Sequence, residues 1–147
     1  LDSHFVVALN DQFAENCTIA ILSGDLEEPI LVQTSGSVDI RAITSLGSDK
    51  FVIAGSGNGG EYVAIMDTKG NLVAENVISG SQGSIEWVGA NEEFIVMTYS
   101  ENSDSRAMIV DTTTLKGLYV GRDHQGSGQL CPVVSGNTVL LTSVNGT

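Results

Sequence analysis

The chain has 147 residues and a mass of 15.4 kDa, which is the size of one ordinary domain. Its 18 acidic and 6 basic residues give a formal net charge of −12, and only 16% of the residues are charged. This balance argues against a nucleic-acid-binding groove, because phosphates are attracted by positive charge. No apolar run approaches the roughly 18–20 residues of a membrane-spanning helix, so we expect no membrane insertion.

Short apolar runs follow one another along the chain, and each predicts a β-strand because β-branched and aromatic residues are frequent in it. Three runs come first, at residues 5–9, 18–23 and 30–34. Two sets of four follow, at residues 38–45, 51–55, 62–67 and 72–79, and then at residues 84–88, 94–98, 106–111 and 117–120. The last two runs lie at residues 129–134 and 139–143. Since no segment keeps a helical period over about ten residues, the sequence predicts an all-β fold.

Two series of runs repeat at a nearly constant spacing. Ile21, Ile65 and Ile109 are 44 residues apart and occupy the same position in three runs. A second series has spacings of 46, 43 and 45 residues, and its runs begin at Phe5, Phe51, Phe94 and Val139. Two runs of the first series end in an aspartate, Asp67 and Asp111, whose carboxylates we expect to cap the following turns.

Four short strands at a period of about 44 residues are typical of a β-propeller blade. With the strands of a blade labelled A to D from the propeller axis outward, the chain reads B-C-D, A-B-C-D, A-B-C-D and A-B. The B and C runs are almost wholly apolar, as expected if neighbouring blades cover both of their faces. A β-sandwich or a β-solenoid is the alternative, but solenoid coils repeat at about 20–30 residues, and a sandwich has no reason to hold one register through three copies.

The second unit of the repeat resembles the loosely defined WD-like and bacterial propeller repeats. The resemblance rests on the segments Phe51-Val52-Ile53-Ala54-Gly55, Val63-Ala64-Ile65-Met66-Asp67 and Gly70-Asn71. It covers nearly the whole chain and implies four-stranded antiparallel blades. The Gly-His and Trp-Asp pairs of WD repeats are absent from the sequence, and no double-glycine signature of kelch repeats recurs in it, so the resemblance indicates no specific family.

The repeat predicts one partial propeller domain of about three to three and a half blades. Its limits are a partial blade at 1–36, blades at 37–80 and 81–125, and a partial blade at 126–147. Because propeller rings have about 4–8 blades, we expect further polypeptide to complete the ring, from another chain or from a missing part of the same chain. The first residue is Leu1 rather than Met, so we also expect a fragment or a processed product.

The inner strands carry the candidate binding residues. Asp39 and Arg41 lie in one predicted A strand, and Glu86 and Trp87 lie in the next, where all four are expected to face the central channel. Trp87 is suited to stacking on a ligand or to packing between blades. Arg41 is suited to pairing with Asp39 or Glu86 as part of a site or as a purely structural pair.

Glu101, Asn102 and Asp104 lie close together in one predicted loop and are the candidate Ca²⁺ ligands, because calcium prefers oxygen ligands. Their spacing lacks the alternating pattern of a calcium-binding loop that ends in a bidentate glutamate, so a solvated turn is the competing interpretation. The sequence indicates no other cofactor.

Cysteine and asparagine positions bear on the cellular compartment. Cys17 and Cys131 lie in different predicted blades, which argues against a disulfide between them. Asn16 and Asn145 each begin an Asn-x-Thr triplet, the acceptor pattern of N-glycosylation. We therefore expect an extracellular, cell-surface or lumenal protein.

Two functions of different classes remain open. The first is a non-catalytic binding or assembly module that displays loops on a rigid scaffold within a larger propeller. The second is part of a propeller enzyme, a glycosidase or a lyase, with its site at the central channel. No catalytic constellation is visible in the sequence, which favours the first.

Overall fold

The architecture is given by a computed structural model that describes residues 4–10, 16–24, 28–34, 36–79, 83–101, 104–125, 129–135 and 138–144. For residues 101, 104, 118–125, 129–132 and 141–144 it describes the backbone alone. No helix among these residues is long and apolar enough to cross a membrane.

Thirteen β-strands make up nearly all of the described chain. They are β1 (His4–Asn10), β2 (Cys17–Ser23), β3 (Ile30–Gln33), β4 (Val38–Leu46), β5 (Lys50–Gly57), β6 (Gly60–Asp67), β7 (Leu72–Ser79), β8 (Ser84–Ala90), β9 (Phe94–Glu101), β10 (Asp104–Asp111), β11 (Gly117–Gln125), β12 (Gln129–Ser135) and β13 (Thr138–Val144).

The strands form four antiparallel sheets, and within each sheet consecutive strands pair with each other. The first sheet is β1-β2-β3, the second β4-β5-β6-β7, the third β8-β9-β10-β11 and the fourth β12-β13. This grouping of three, four, four and two strands is the order that the sequence repeat predicts. The limits assigned to the four units of one domain stay a prediction.

The register of the third sheet differs from the sequence prediction by one residue. Phe51 pairs with Met66, and Met66 is 44 residues before Val110, whose partner is Ile95. Ile95 therefore takes the place of Phe51, and the predicted equivalence of Phe94 with Phe51 is wrong. Burial agrees with this register, because Ile95 is fully buried whereas Phe94 is only half-buried.

The second sheet is covered on both faces, which explains why its central strands are apolar throughout. Successive residues of a strand point to opposite faces. Val52 and Ala54 pack with the third sheet, whereas Phe51 and Ile53 pack with the first. Fully burying a large apolar side chain stabilises a fold by about 1.5–3 kcal/mol. These two inter-sheet cores therefore hold neighbouring sheets together.

Two aspartates organise equivalent turns, as the sequence predicts. The Oδ1 atom of Asp67 accepts hydrogen bonds from the backbone N–H groups of Lys69 and Asn71 at 2.9 and 2.8 Å. The Oδ1 atom of Asp111 accepts hydrogen bonds from the backbone N–H and the hydroxyl of Thr114 at 2.7 and 2.8 Å. The Asn71 side-chain amide also donates to the Oδ2 atom of Asp67 at 2.8 Å, and this bond is the largest cause of the lowered pKa of Asp67. Together the bonds favour the ionised carboxylates, so the pKa of each aspartate lies below its ordinary value of 3.8.

The turn aspartates lead to a prediction about acid stability. A carboxylate whose pKa is lower in the folded state stabilises the fold above its unfolded pKa, and this contribution is lost as the pH falls through the folded value. We expect Asp111→Asn, which keeps an acceptor oxygen but cannot titrate, to flatten the decline of the unfolding free energy below about pH 4. Urea unfolding at a series of pH values measures this, and parallel curves for variant and wild type would contradict it.

Candidate functional site

The inner strands of the second and third sheets bring the predicted binding residues onto neighbouring strands. β4 lies beside β8, and β12 lies against β8 and β9. Asp39 and Arg41 belong to β4, and Glu86 and Trp87 belong to β8. The register shifts between Ile40 and Ala42 and again between Ile85 and Trp87. Arg41 and Glu86 are thus the extra residues of two β-bulges at equivalent places, and a bulge redirects the side chains around it.

The four residues have different surroundings. The Arg41 guanidinium and the Asp39 carboxylate form a partly exposed ion pair at 2.5 Å. The Oε2 atom of Glu86 is buried and has no hydrogen-bond partner in the part of the chain that the structure describes. Trp87 is 47% exposed, so its indole is available to another surface. That all four face one ligand-binding channel stays a prediction.

The predicted calcium loop is described only in part. Glu101 and Asp104 are cross-strand partners at the junction of β9 and β10, and their side chains and Asn102 lie outside what the structure describes. Within the described residues, no three His, Cys, Asp or Glu side chains are grouped as metal ligands. The calcium site stays a prediction.

The cysteine and asparagine predictions have mixed outcomes. Cys17 is a free, buried thiol at the start of β2, and burial raises its pKa. The side chain of Cys131 lies outside the described residues. Asn16 is exposed beside β2, whereas Asn145 falls outside the described ranges. Glycosylation and the extracellular location therefore stay predictions.

Polar contacts between sheets were not foreseen from the sequence. The Asn10 side chain accepts a hydrogen bond from the Ile40 backbone N–H at 3.1 Å and donates one to the Ile40 carbonyl at 2.6 Å. At the next junction, the Glu61 carboxylate accepts the Gly83 N–H at 2.9 Å, and the Ser56 hydroxyl donates to the Gly83 carbonyl at 3.3 Å. In both cases side chains of one sheet hold the inner-strand backbone of the next sheet.

These contacts recur at equivalent positions. Asn10 pairs across strands with Cys17, and Ser56 pairs with Glu61, which lies 44 residues after Cys17. Glu61 is fully buried at the second position of β6, directly before the apolar run at residues 62–67. An acidic residue beside such a run is the one feature of the sequence that indicates a buried polar contact here.

A polar cavity of about 330 Å³ lies at the end of the second sheet where β5 ends and β6 begins. It is lined by Tyr62 and Glu75, among others, and the Tyr62 hydroxyl donates a hydrogen bond to the Glu75 carboxylate at 2.8 Å. The sequence does not reveal this cavity, because its walls come from segments that only strand pairing brings together.

The outward face of the first sheet is apolar and open. Cross-strand pairing places Phe5 opposite Leu22, and Val7 opposite Ala20, which in turn lies opposite Leu31. The exposed large residues of this face, called the open face below, are Phe5, Val7, Leu9, Leu22 and Leu31. At the other end of the chain, Val133 and Leu140 are cross-strand partners and are also exposed.

Comparison with solved structures identifies the fold. The β-propeller domain of the Trilobed protease from Pyrococcus furiosus, which has an open velcro topology, is similar with a TM-score of 0.52 and 12% identity over 92% of this chain. A eukaryotic initiation factor gives a TM-score of 0.46 and 11% identity over 91% of the chain. This chain spans 46% of the length of each of these structures. No family model and no curated protein matches the sequence.

The likeness to the archaeal domain and the strand order together confirm the predicted fold class. The chain is all-β, its sheets are antiparallel blades, and it forms part of a β-propeller ring.

Proposed function

We propose that this chain is a non-catalytic assembly and binding module, in which the open face is covered by a further β-sheet of a larger propeller. The observation that carries the proposal is the contrast in burial between equivalent positions. Phe5 is 64% exposed and Phe51 is 3% exposed, while Val7 is 44% exposed and Ile53 is fully buried.

The equivalence of these positions follows from strand pairing. Phe5 pairs with Leu22 and Phe51 pairs with Met66, and Leu22 and Met66 are 44 residues apart. In the second sheet Phe51 and Ile53 pack against the preceding sheet. The first sheet presents apolar side chains, Phe5 and Val7, at the equivalent positions, so a preceding sheet is the partner that matches them. Apolar patches of this kind mark interaction surfaces in soluble proteins.

The inner-strand residues support a structural role rather than catalysis. Arg41 is held by Asp39 in an ion pair on one strand, and Trp87 offers an apolar surface on the next. Both are suited to contacts with further blades or with a ligand near the axis. We include Asp39, Arg41, Glu86 and Trp87 in the proposed binding surface.

The open face leads to a prediction about association. Without a covering sheet, a second copy has access to the same apolar surface, so we expect the 147-residue chain to associate as its concentration rises. The double substitution Val7→Lys and Leu31→Lys is expected to shift it towards a monomer, because a charged group on this face opposes burial. Size-exclusion chromatography with light scattering measures the mass.

Val73→Lys is the matched control, because Val73 is about as exposed as Val7 but lies on β7, away from the open face. It should leave the association unchanged. A wild-type chain that stays monomeric at high concentration, or equal effects of the lysines at the open face and at Val73, would overturn the proposal. Circular dichroism of each variant shows whether the fold is retained.

A further inference from the structure

The polar cavity at the end of the second sheet is bounded by residues of all four strands of that sheet. Val38 lies opposite Gly57, and Tyr62 lies opposite Val77, so these residues share the face that points towards the first sheet. Glu75 lies opposite Ala64, which packs on the same side. The exposed residues Ser37 and Asn58 stand at the mouth of the cavity.

The chemistry of the cavity is set by one carboxylate and one phenol. Burial raises the pKa of Tyr62 above its ordinary value, and the hydrogen bond to Glu75 raises it further. Tyr62 therefore remains a protonated donor, and Glu75 remains the acceptor at 2.8 Å. This bond fixes the position of the carboxylate at the cavity wall, so that a ligand would meet an oriented negative group.

Two valines form the apolar part of the wall, and a glycine beside them leaves room. Val38 and Val77 flank the cavity, and Gly57 between them has no side chain. A Cβ on Gly57 would lie 3.5 Å from the Cβ of Tyr62 and 3.7 Å from a methyl carbon of Val77. The glycine thus keeps a space open that an alanine would occupy without a clash. About 330 Å³ is close to the lower end of known ligand pockets and holds a small organic molecule.

We propose that this cavity binds a primary alkylammonium group, with the ammonium against the Glu75 carboxylate and the aliphatic stem between Val38 and Val77. Charge-assisted hydrogen bonds between an ammonium and a carboxylate are stronger than neutral ones. The net charge of −12 raises the local concentration of cations around the chain. The ammonium group comes either from a free amine or from a lysine side chain of a polypeptide, and the two sources share this chemistry.

Titrations followed by nuclear magnetic resonance of the 147-residue chain test the proposal. The probes are 1,4-diaminobutane for a free amine, Nα-acetyl-lysine amide for a lysine side chain, and 1,4-butanediol as the uncharged control. We expect saturable chemical-shift changes of the backbone amide signals around Gly57, Tyr62 and Val77 when an amine is added, and no such changes with the diol. If only the lysine amide binds, a polypeptide is the source, and if only the diamine binds, a free amine is.

Two variants distinguish binding in this cavity from a general attraction of cations to the acidic chain. Glu75→Gln is expected to weaken amine binding about tenfold, which corresponds to about 1.4 kcal/mol, and Gly57→Ala is expected to weaken it by filling the space. Glu93→Gln removes one exposed charge elsewhere and should leave the affinity unchanged. Equal binding of the diol, or unchanged affinity in Gly57→Ala, would overturn the proposal. Should Glu75→Gln fail to fold, Gly57→Ala still decides the outcome.

Discussion

Replacing Gly55 by alanine is expected to lower the free energy of unfolding by about 3 kcal/mol, because the added methyl group has no space. A Cβ on Gly55 would overlap the carbonyl oxygen of Asp39 and would lie 2.8 Å from the Cα atom of Ile40. These are backbone atoms of β4, which cannot withdraw without breaking its pairing with β5. Urea unfolding followed by the fluorescence of Trp87, the single tryptophan, measures the change.

Gly57→Ala is the matched control for this prediction. It makes the same change two residues further along β5, where the added Cβ meets its neighbours at ordinary contact distances of 3.5–4.0 Å. We expect it to change the unfolding free energy by less than about 1 kcal/mol. If both alanine variants were equally stable, the close approach of β4 to Gly55 would not exist in solution.

The crowding at Gly55 lies beside the bulge in the inner strand. The register of β4 shifts between Ile40 and Ala42, and Ile40 is the cross-strand partner of Gly55. The third sheet has its bulge at the equivalent place, but a different residue is the small one there. There the position of Gly55 is taken by the bulky Tyr99, and Gly83 before β8 is the residue that leaves room for it.

The strand order could be predicted because a propeller repeats its hydrophobic pattern. Ile21, Ile65 and Ile109 occupy one register in sequence, and β2, β6 and β10 are the central strands that contain them. The register of β9 could not be predicted in the same way. Phe94 and Ile95 are both apolar, so the pattern does not show which of them faces the preceding sheet, and only pairing with Val110 decides it.

The candidate sites were harder to predict than the fold. The sequence predicts the strands that carry Asp39, Arg41, Glu86 and Trp87, because strand position follows from the repeat. The contacts that those side chains make depend on the positions of β-bulges, and no local sequence pattern predicts those positions. The polar cavity was missed for a related reason. Tyr62 and Glu75 are 13 residues apart, and their hydrogen bond depends on the pairing of β6 with β7.

The junctions between sheets combine two kinds of interaction at different places. Apolar clusters fill the space between the sheets, and they tolerate sliding because they are not directional. The bonds that Asn10 accepts from the Ile40 N–H and that Glu61 accepts from the Gly83 N–H lie near strand ends and are directional. Each junction thus combines buried apolar surface with a directional bond to the backbone of the next sheet.

Glu61→Ala is expected to lower the free energy of unfolding by about 3 kcal/mol, because it removes two sources of stability at once. The Gly83 N–H loses its carboxylate acceptor, and the truncated side chain leaves a void at a fully buried position. The neighbouring Ser56 hydroxyl donates to the carbonyl of Gly83 and is not the acceptor of the Gly83 N–H. Urea unfolding measures the loss of stability, and hydrogen exchange of the Gly83 amide reports the contact itself.

Glu61→Gln separates the hydrogen bond from the charge. The glutamine keeps the volume of the side chain and one acceptor oxygen for Gly83, so we expect it to retain most of the stability and the slow exchange of the Gly83 amide. Glu61→Ala should exchange this amide faster even under conditions in which the fold is intact. If the alanine and glutamine variants were equally stable and protected Gly83 equally, the bond between Glu61 and Gly83 would contribute nothing to the junction between the second and third sheets.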